Sequence, residues 1–205
     1  MKERPVISGR RVMFSALALP VLLATAGVAA EGPSWRFEKG DVKIVVPLKP
    51  GGAFAATTSA LTGTLALEGA KPARLVGDVF MDLSTIDTGI ALRNQHLKEN
   101  YLEVAKGEGY NKAVLSDIQL VEATGESFEG TTPFTGTMLL HGVKKPVAGT
   151  AEIHPEGLSR RVRAEFPLEL TDFAVKPPEY LGVGVGSRLL VKVNLTATPV
   201  KPLAR

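Results

Sequence analysis

Apolar and polar residues alternate with a period of two in five segments of this chain. The apolar sets are Leu61, Gly63, Leu65 and Leu67; Leu75, Val79, Met81 and Leu83; Phe134, Gly136, Met138 and Leu140; Val162, Ala164, Phe166, Leu168 and Leu170; and Leu189, Val191, Val193 and Leu195. Because successive side chains of a β-strand point to opposite faces, this pattern predicts strands with one buried face and one wet face. Strands of this kind form antiparallel sheets.

Glycine- and proline-rich turns separate these strands, and no long helical pattern lies between them. This order argues against a parallel α/β sheet, in which helices return the chain between strands. A sheet with one apolar face can close into a barrel or stack as a sandwich, and the alternation leaves both open. At 205 residues, with no internal boundary, the chain is expected to form one domain.

The N-terminal segment has the composition of a secretory signal peptide, predicted over residues 1–30. Basic residues, among them Arg10 and Arg11, precede an apolar run that ends in small residues before Glu31. The run is shorter than the ~20 residues of a membrane-spanning helix. We therefore expect cleavage, no stable membrane span and a periplasmic or secreted protein, with twin-arginine export as an option.

Removal of this leader leaves a neutral chain. The leader holds four of the 24 Lys and Arg and one of the 21 Asp and Glu, so 20 of each remain. Because the remainder carries neither net positive charge nor a basic tract with interleaved aromatics, nucleic-acid binding is not expected. The absence of cysteine excludes disulfides, thiolate metal sites and a cysteine nucleophile.

The stretch from Leu83 to Leu97 breaks the alternation. Residues 87–89, Asp-Thr-Gly, predict a turn whose polar side chains hydrogen-bond the backbone and cap the next element. Beyond the turn, Leu97, Tyr101 and Ala105 recur every four residues, which predicts a short surface helix.

Three segments resemble the sequence signature of the YceI-like family. They are Ser-x-Ile-Asp-Thr-Gly and Arg-x-x-His-Leu at residues 84–89 and 93–97, Gly-Thr-Met-Leu-Leu-His-Gly-Val-Lys-Lys-Pro-Val at 136–147, and Leu-Thr-Asp-Phe-Ala-Val at 170–175. They occur in the family's order and span roughly Trp35 to Thr198. The chain departs from the family pattern in having Asn111 for Pro after Tyr110, Leu170 for Arg and Ala174 for Gly.

The resemblance implies an all-β domain over residues 31–198, a single antiparallel eight-stranded lipocalin-like barrel with a short surface helix, followed by a tail over 199–205. Family members are associated with long isoprenoid chains or similar amphiphiles, so an isoprenoid or fatty-acyl amphiphile is the implied ligand. Alternation and resemblance together predict a cavity lined by Leu65, Leu67, Met81, Leu83, Leu115, Phe134, Met138, Leu140, Phe166, Leu168, Val191 and Val193. The polar candidates at its mouth are Asp87, Arg93 and His96.

Ser84, Asp87 and His96 have the side chains of a catalytic triad. Their places in one strand, turn and helix do not by themselves aim the groups at a common point, and no nucleophile elbow is present. Capping and turn formation account for Asp87 more simply. No catalytic residue is predicted.

The remaining polar motifs also favour structural roles. The histidines His96, His141 and His154 are expected to be exposed or structural, because a metal site needs at least two of them to converge with a carboxylate. The glycines of residues 182–187 lack phosphate-loop spacing and precede a strand, so they predict a flexible approach to the last strand. Neither a metal nor a cofactor is expected.

The sequence therefore favours an exported, non-enzymatic protein, monomeric or dimeric, that sequesters or carries a lipid. The alternative is a structural or stress-related interaction module with a filled barrel, and a hydrolase is the third hypothesis. In the lipid-binding case Met138 and Leu140 face inward and His141 outward. A charge at either of the first two should abolish ligand uptake or folding, whereas one at His141 should be nearly silent.

Overall fold

The structure is a computed structural model that describes residues 32–69, 71–181 and 183–200. The predicted leader over 1–30 lies outside the described residues, as do residues 201–205 of the predicted tail. The described part of the chain is built almost completely of β-strands. The strands are β1 (Ser34–Phe37), β2 (Gly40–Lys49), β3 (Ala53–Thr58), β4 (Leu61–Glu68), β5 (Ala73–Asp82), β6 (Lys112–Leu120), β7 (Gly130–Leu140), β8 (Val143–Glu156), β9 (Ser159–Glu169), β10 (Glu179–Tyr180), β11 (Val183–Val185) and β12 (Arg188–Pro199).

These strands close into an eight-stranded antiparallel barrel. Strands β1 and β2 together form one wall strand and β3 and β4 form the next, while β5 to β9 and β12 complete the ring. Closure occurs along β12, where Pro199 pairs with Trp35 of β1 and Val193 pairs with Val42 of β2. The predicted all-β barrel is confirmed, and the choice between barrel and sandwich is decided in favour of the barrel.

The alternation places one face of each wall strand inside the barrel. Strand β5 keeps this arrangement across a bulge between Leu75 and Val79. The bulge contains Gly77 at φ +122°, where a Cβ atom would lie 2.1 Å from the backbone oxygen of Thr64. Only glycine permits this close approach, so the bulge depends on residue 77.

A short hairpin and an extended last strand complete the sheet. Strands β10 and β11 form a hairpin that pairs with the end of β2, where Val185 lies opposite Leu48. Strand β12 includes Pro199, and the N–H of Val200 donates to the carbonyl of Ser34 at 2.8 Å. These two residues, which the sequence analysis placed in the tail, are therefore tied to the barrel.

The predicted surface helix is present but shorter than expected. Helix α1 spans Ala91–His96 and continues as one wide turn over Leu97–Tyr101, in which the N–H of Leu102 donates to the carbonyl of Leu97. Glu103 adopts a left-handed conformation at φ 50°, so Ala105 belongs to a separate 3₁₀ turn rather than to the helix. The wide turn allows Leu97 and the buried Leu102 to face the barrel together. No helix among the described residues is long and apolar enough to span a membrane.

Candidate ligand cavity

The barrel encloses a cavity of about 600 Å³ whose wall is almost entirely apolar. Each wall strand contributes its inward face, and the segment around α1 covers one end. The structure places all twelve residues of the predicted lining on this wall: Leu65, Leu67, Met81, Leu83, Leu115, Phe134, Met138, Leu140, Phe166, Leu168, Val191 and Val193. Their contact with a ligand stays a prediction.

The wall also contains residues outside the predicted lining. Val42, Ile44 and Val46 line the cavity from β2, and their period of two was a signal that could have identified them. Trp35 and Phe128 also line it. They lie in a strand of four residues and in a loop, respectively, so no periodicity marks them.

The charged and imidazole groups of the lining lie at the two ends of the barrel. Arg93 and His96 are at the end covered by α1, whereas Glu126 and Arg160 are at the opposite end. The wall between these ends is apolar, so an unpaired polar group placed there would lose its hydration without compensation. The cavity is therefore suited to an apolar chain.

The end covered by α1 is the mouth of the cavity. Ile90 and Leu92 line the cavity and are also 54% and 61% exposed. Large apolar side chains that face both the cavity and the solvent mark an opening. None of the residues of α1 is buried, so the helix covers the mouth without being packed into the core.

Asp87 lies beside the mouth and organises the turn, but it does not cap the helix as expected. Its Oδ1 accepts from the N–H of Gly89 at 2.8 Å and from Nδ2 of Asn94 at 2.7 Å. The N-cap residue of α1 is Ile90, which makes no side-chain capping bond. The Asn94 bond, followed by the Gly89 bond, lowers the pKa of Asp87 below its ordinary value.

Asn94 is a residue that the sequence analysis missed. Its Oδ1 accepts from both the N–H and the hydroxyl of Thr88, at 2.8 and 2.6 Å, while its Nδ2 donates to Asp87. One side chain on the second turn of the helix thus provides hydrogen-bond partners for the residues of the turn that precedes the helix. No local sequence pattern marks this role, because it depends on how the turn and the helix are placed relative to each other.

Arg93 is held at the mouth by two contacts. Its Nη2 donates to the carbonyl of Thr88 at 2.5 Å, and its guanidinium lies 3.9 Å from the centroid of the Phe54 ring. Its Nε is buried and has no hydrogen-bond partner among residues 32–69, 71–181 and 183–200. No ion pair joins Arg93 to Asp87 in that part of the chain.

The possible triad is not assembled. The hydroxyl of Ser84 donates to Oδ1 of Asp82 at 2.7 Å, and Asp87 is occupied by Gly89 and Asn94. Within the described residues, His96 makes no hydrogen bond to either. The same residues contain no group of three His, Asp or Glu side chains able to hold a metal ion.

His141 was expected to be exposed or structural, and the structure shows a structural role, so the expectation that a charge there would be nearly silent loses its basis. Its side chain points away from the cavity but is only 11% exposed. Nδ1 lies 3.2 Å from the carbonyl of Phe173, Nε2 lies 2.9 Å from Oε2 of Glu103, and the Tyr110 ring packs edge-on at 4.9 Å. The outer face of the sheet is covered here by two connecting segments, which alternation within one strand does not reveal.

The other two histidines are more exposed, as expected. His96 lies on α1. His154 lies on the outer face of β8, with Nε2 2.9 Å from Glu152 and Nδ1 3.5 Å from Glu129. The Glu152 contact, followed by the Glu129 contact, raises the pKa of His154.

Comparison with known proteins places this barrel in a family. The sequence profile of the YceI-like domain matches residues 37–197. A UPF0312 protein of Pseudomonas savastanoi is 33% identical over 123 residues, which cover 57% of this chain and 60% of the relative's length. The chain thus spans less than two thirds of the curated relatives it matches.

Two solved structures share the fold. The crystal structure of Burkholderia cenocepacia BcnA superposes with a TM-score of 0.62 at 15% identity, over 78% of this chain and 96% of that one. A polyisoprenoid binding domain from Saccharophagus degradans, implicated in plant cell wall breakdown, superposes with a TM-score of 0.59 at 13% identity, over 81% and 98%. At these identities the likeness concerns the fold, whereas the profile match covers most of the sequence: this chain belongs to the YceI-like domain family.

Proposed function

We propose that this protein is an exported, non-enzymatic binding protein that sequesters or carries a long-chain isoprenoid or another amphiphilic lipid. The observation that carries the proposal is the closed barrel around an apolar cavity of about 600 Å³, in which the charged lining residues of the described part of the chain lie at the two ends. Such a space accepts a hydrocarbon chain and leaves a polar head at the rim. The name of the Saccharophagus domain, which specifies polyisoprenoid binding, supports the ligand class.

Burial of the chain would supply the binding energy. Each CH₂ transferred fully from water to an apolar interior contributes ~0.8 kcal/mol. This gain must exceed the cost of ordering the chain and of its lost translational and rotational freedom. The polar groups at the mouth would contribute selectivity for the head group, and Arg93 is the candidate for an anionic one.

Export is part of the proposal and is supported by the N-terminal sequence. The basic start, the apolar run and the small residues before Glu31 have the order of a cleavable signal peptide, and the paired Arg10 and Arg11 are compatible with twin-arginine export. A carrier for a poorly soluble lipid fits a periplasmic or secreted location. Amino-terminal sequencing of the exported protein should give a start within a few residues of Glu31, and an intact Met1 would contradict export with cleavage.

Native mass spectrometry of the freshly purified full chain tests the lipid-binding function. We expect a non-covalent adduct that organic extraction removes, and re-uptake of a prenyl alcohol or fatty acid by the extracted protein. A folded protein that carries no adduct and takes up neither compound would contradict the proposal. That result would favour the alternative of a filled interaction module with a protein partner.

A further inference from the structure

We infer that the bound chain has one orientation, with its head at the α1 mouth and its tail against a floor formed by Trp35, Phe128 and Arg160, and that this floor sets the longest chain accepted. The inference rests on the proposed lipid-binding function. Both elements, orientation and length limit, follow from differences between the two ends of the same cavity.

Side chains and a loop extend across the end of the barrel that forms the floor. Arg160, on β9, donates from Nη2 to the carbonyl of Glu126 at 3.3 Å, which ties the loop after β6 across this end. Its guanidinium also lies 5.9 Å from the centroid of the Trp35 ring, which belongs to β1. Trp35, Phe128 and Arg160 all line the cavity and are half-buried.

The mouth differs from the floor in exposure. Ile90 and Leu92 line the cavity but are more than half exposed, whereas the apolar residues of the floor are not. A chain that enters beside α1 would therefore meet an opening first and an obstruction last. This difference between the two ends assigns the tail of the ligand to the floor.

The two arginines also differ in their free donors. Nη1 and Nη2 of Arg160 already donate to the carbonyls of Ser159 and Glu126. Among the described residues Arg93 donates only from Nη2, to the carbonyl of Thr88, so its Nη1 has no acceptor there. Because a charged donor without an acceptor gains more from a new acceptor than a donor that is already bonded, the head group belongs at Arg93.

The cavity volume fixes the scale of the length limit. A volume of about 600 Å³ corresponds to about 20 water-sized groups, since each takes up roughly 30 Å³. Carbon units of a chain are of similar size, so a chain of four isoprene units or a long fatty acid fills the space. Longer chains must either displace the floor or leave part of the chain in water.

Trp35 is the only tryptophan of the chain, so its fluorescence reports directly on the floor. The full-length protein is titrated with two nitroxide-labelled stearic acids, one labelled near the methyl end and one near the carboxylate. Nitroxides quench tryptophan at short range, and we expect several-fold stronger quenching by the methyl-end label at equal occupancy. Stronger quenching by the carboxylate-end label would show that the chain binds in the opposite orientation and would contradict the inference. Equal quenching by the two labels, or no quenching with both acids bound, would also overturn it.

Occupancy in that titration is measured separately by native mass spectrometry. If neither acid and no prenyl alcohol binds, the result contradicts both the proposed function and the inference. Binding without end-selective quenching would remove the inference alone, so the two failures are distinguishable.

A second measurement tests the length limit. The protein is offered an equimolar mixture of prenyl alcohols of three to eight isoprene units, and native mass spectrometry reports which lengths are retained. We expect retention to peak near four units in the wild type and to shift by about one unit towards longer chains in Phe128→Ala, because the removed ring is about the size of one unit. Phe80, half-exposed on the outer face of β5 and absent from the cavity wall, gives the matched control Phe80→Ala. An unchanged peak in a folded Phe128→Ala protein would overturn the floor assignment.

Discussion

The guanidinium of Arg93 lies 3.9 Å from the centroid of the Phe54 ring. This contact joins helix α1 to strand β3 at the mouth of the cavity. A cation held over an aromatic ring keeps a fixed orientation while its remaining donors stay available. Arg93 is thus positioned before a ligand arrives, and its Nη1 has no hydrogen-bond partner among the described residues.

Arg93→Ala should weaken binding of a fatty acid on the order of tenfold, because a charge-assisted hydrogen bond to the carboxylate is lost. Binding of a neutral prenyl alcohol of similar length should change much less. Competition with a fluorescent fatty-acid analogue measures both affinities. Lys98→Ala removes a positive charge from the same segment but not from the cavity wall, and it serves as the control. Equal losses for both ligands in Arg93→Ala would contradict a role in head-group selection.

His141→Ala should destabilise the fold by about 2 kcal/mol, because it removes a buried ring with two hydrogen-bond partners and an edge-on contact with Tyr110. The free energy of unfolding in urea measures the change. His96→Ala, an exposed histidine on α1, should change it by less than about 0.5 kcal/mol. The same small value for both variants would show that the cover over His141 contributes no stability.

Asp87→Ala should lower the urea midpoint near neutral pH. This deficit, the difference in midpoint between the wild type and the variant, should shrink as the solution becomes acidic. The pKa of Asp87 is lowered in the folded protein, first by Asn94 and then by Gly89. A depressed pKa means that the stabilisation is present above the unfolded-state pKa and is lost as pH falls through the folded-state value. Midpoints for the wild type and the variant are therefore compared at about pH 7 and about pH 3.

Asp41→Ala is the control for that comparison. Asp41 is an exposed carboxylate on β2 and makes no side-chain hydrogen bond or ion pair within the described residues. Its removal should shift the midpoint little at either pH. A deficit in Asp87→Ala that is as large in acid as at neutral pH would contradict the contribution of its ionised form.

Met138→Asp should abolish uptake of an apolar ligand or prevent folding, because it places an unpaired carboxylate in the apolar wall. Thr135→Asp introduces the same group three residues earlier on the same strand, at an exposed outward position, and should keep both folding and uptake. Circular dichroism and titration with a fluorescent fatty-acid analogue measure the two properties. Normal uptake by Met138→Asp would show that the side chain at position 138 of β7 does not face the ligand.

The direction of the side chains was determined by the sequence itself. Met138 and Leu140 are two residues apart on β7, and Phe166 and Leu168 are two apart on β9, and all four line the cavity. In an extended chain this spacing requires the same face, whatever the strand pairs with. The strands, their inward residues and the antiparallel sheet could therefore be predicted locally.

Contacts between distant segments could not be predicted in this way. His141 is covered by Glu103 and by the carbonyl of Phe173, which lie 38 and 32 residues away. A period of two distinguishes inside from outside but does not tell which part of the outside another segment will cover. The outer face was therefore predicted correctly for His141, whereas the expectation that a charge there would be nearly silent overlooked the segments that cover it.

The sequence by itself determined a set of amphipathic strands, a turn and a short helix, because these depend on residues that are close along the chain. Only the tertiary structure decided that the strands close into a barrel, since Arg36 and Thr198 must meet across 162 residues. The same closure brings Trp35 beside Arg160 and so gives the cavity a floor. Which end is open and which is closed depends on such long-range pairings, and no local pattern encodes them.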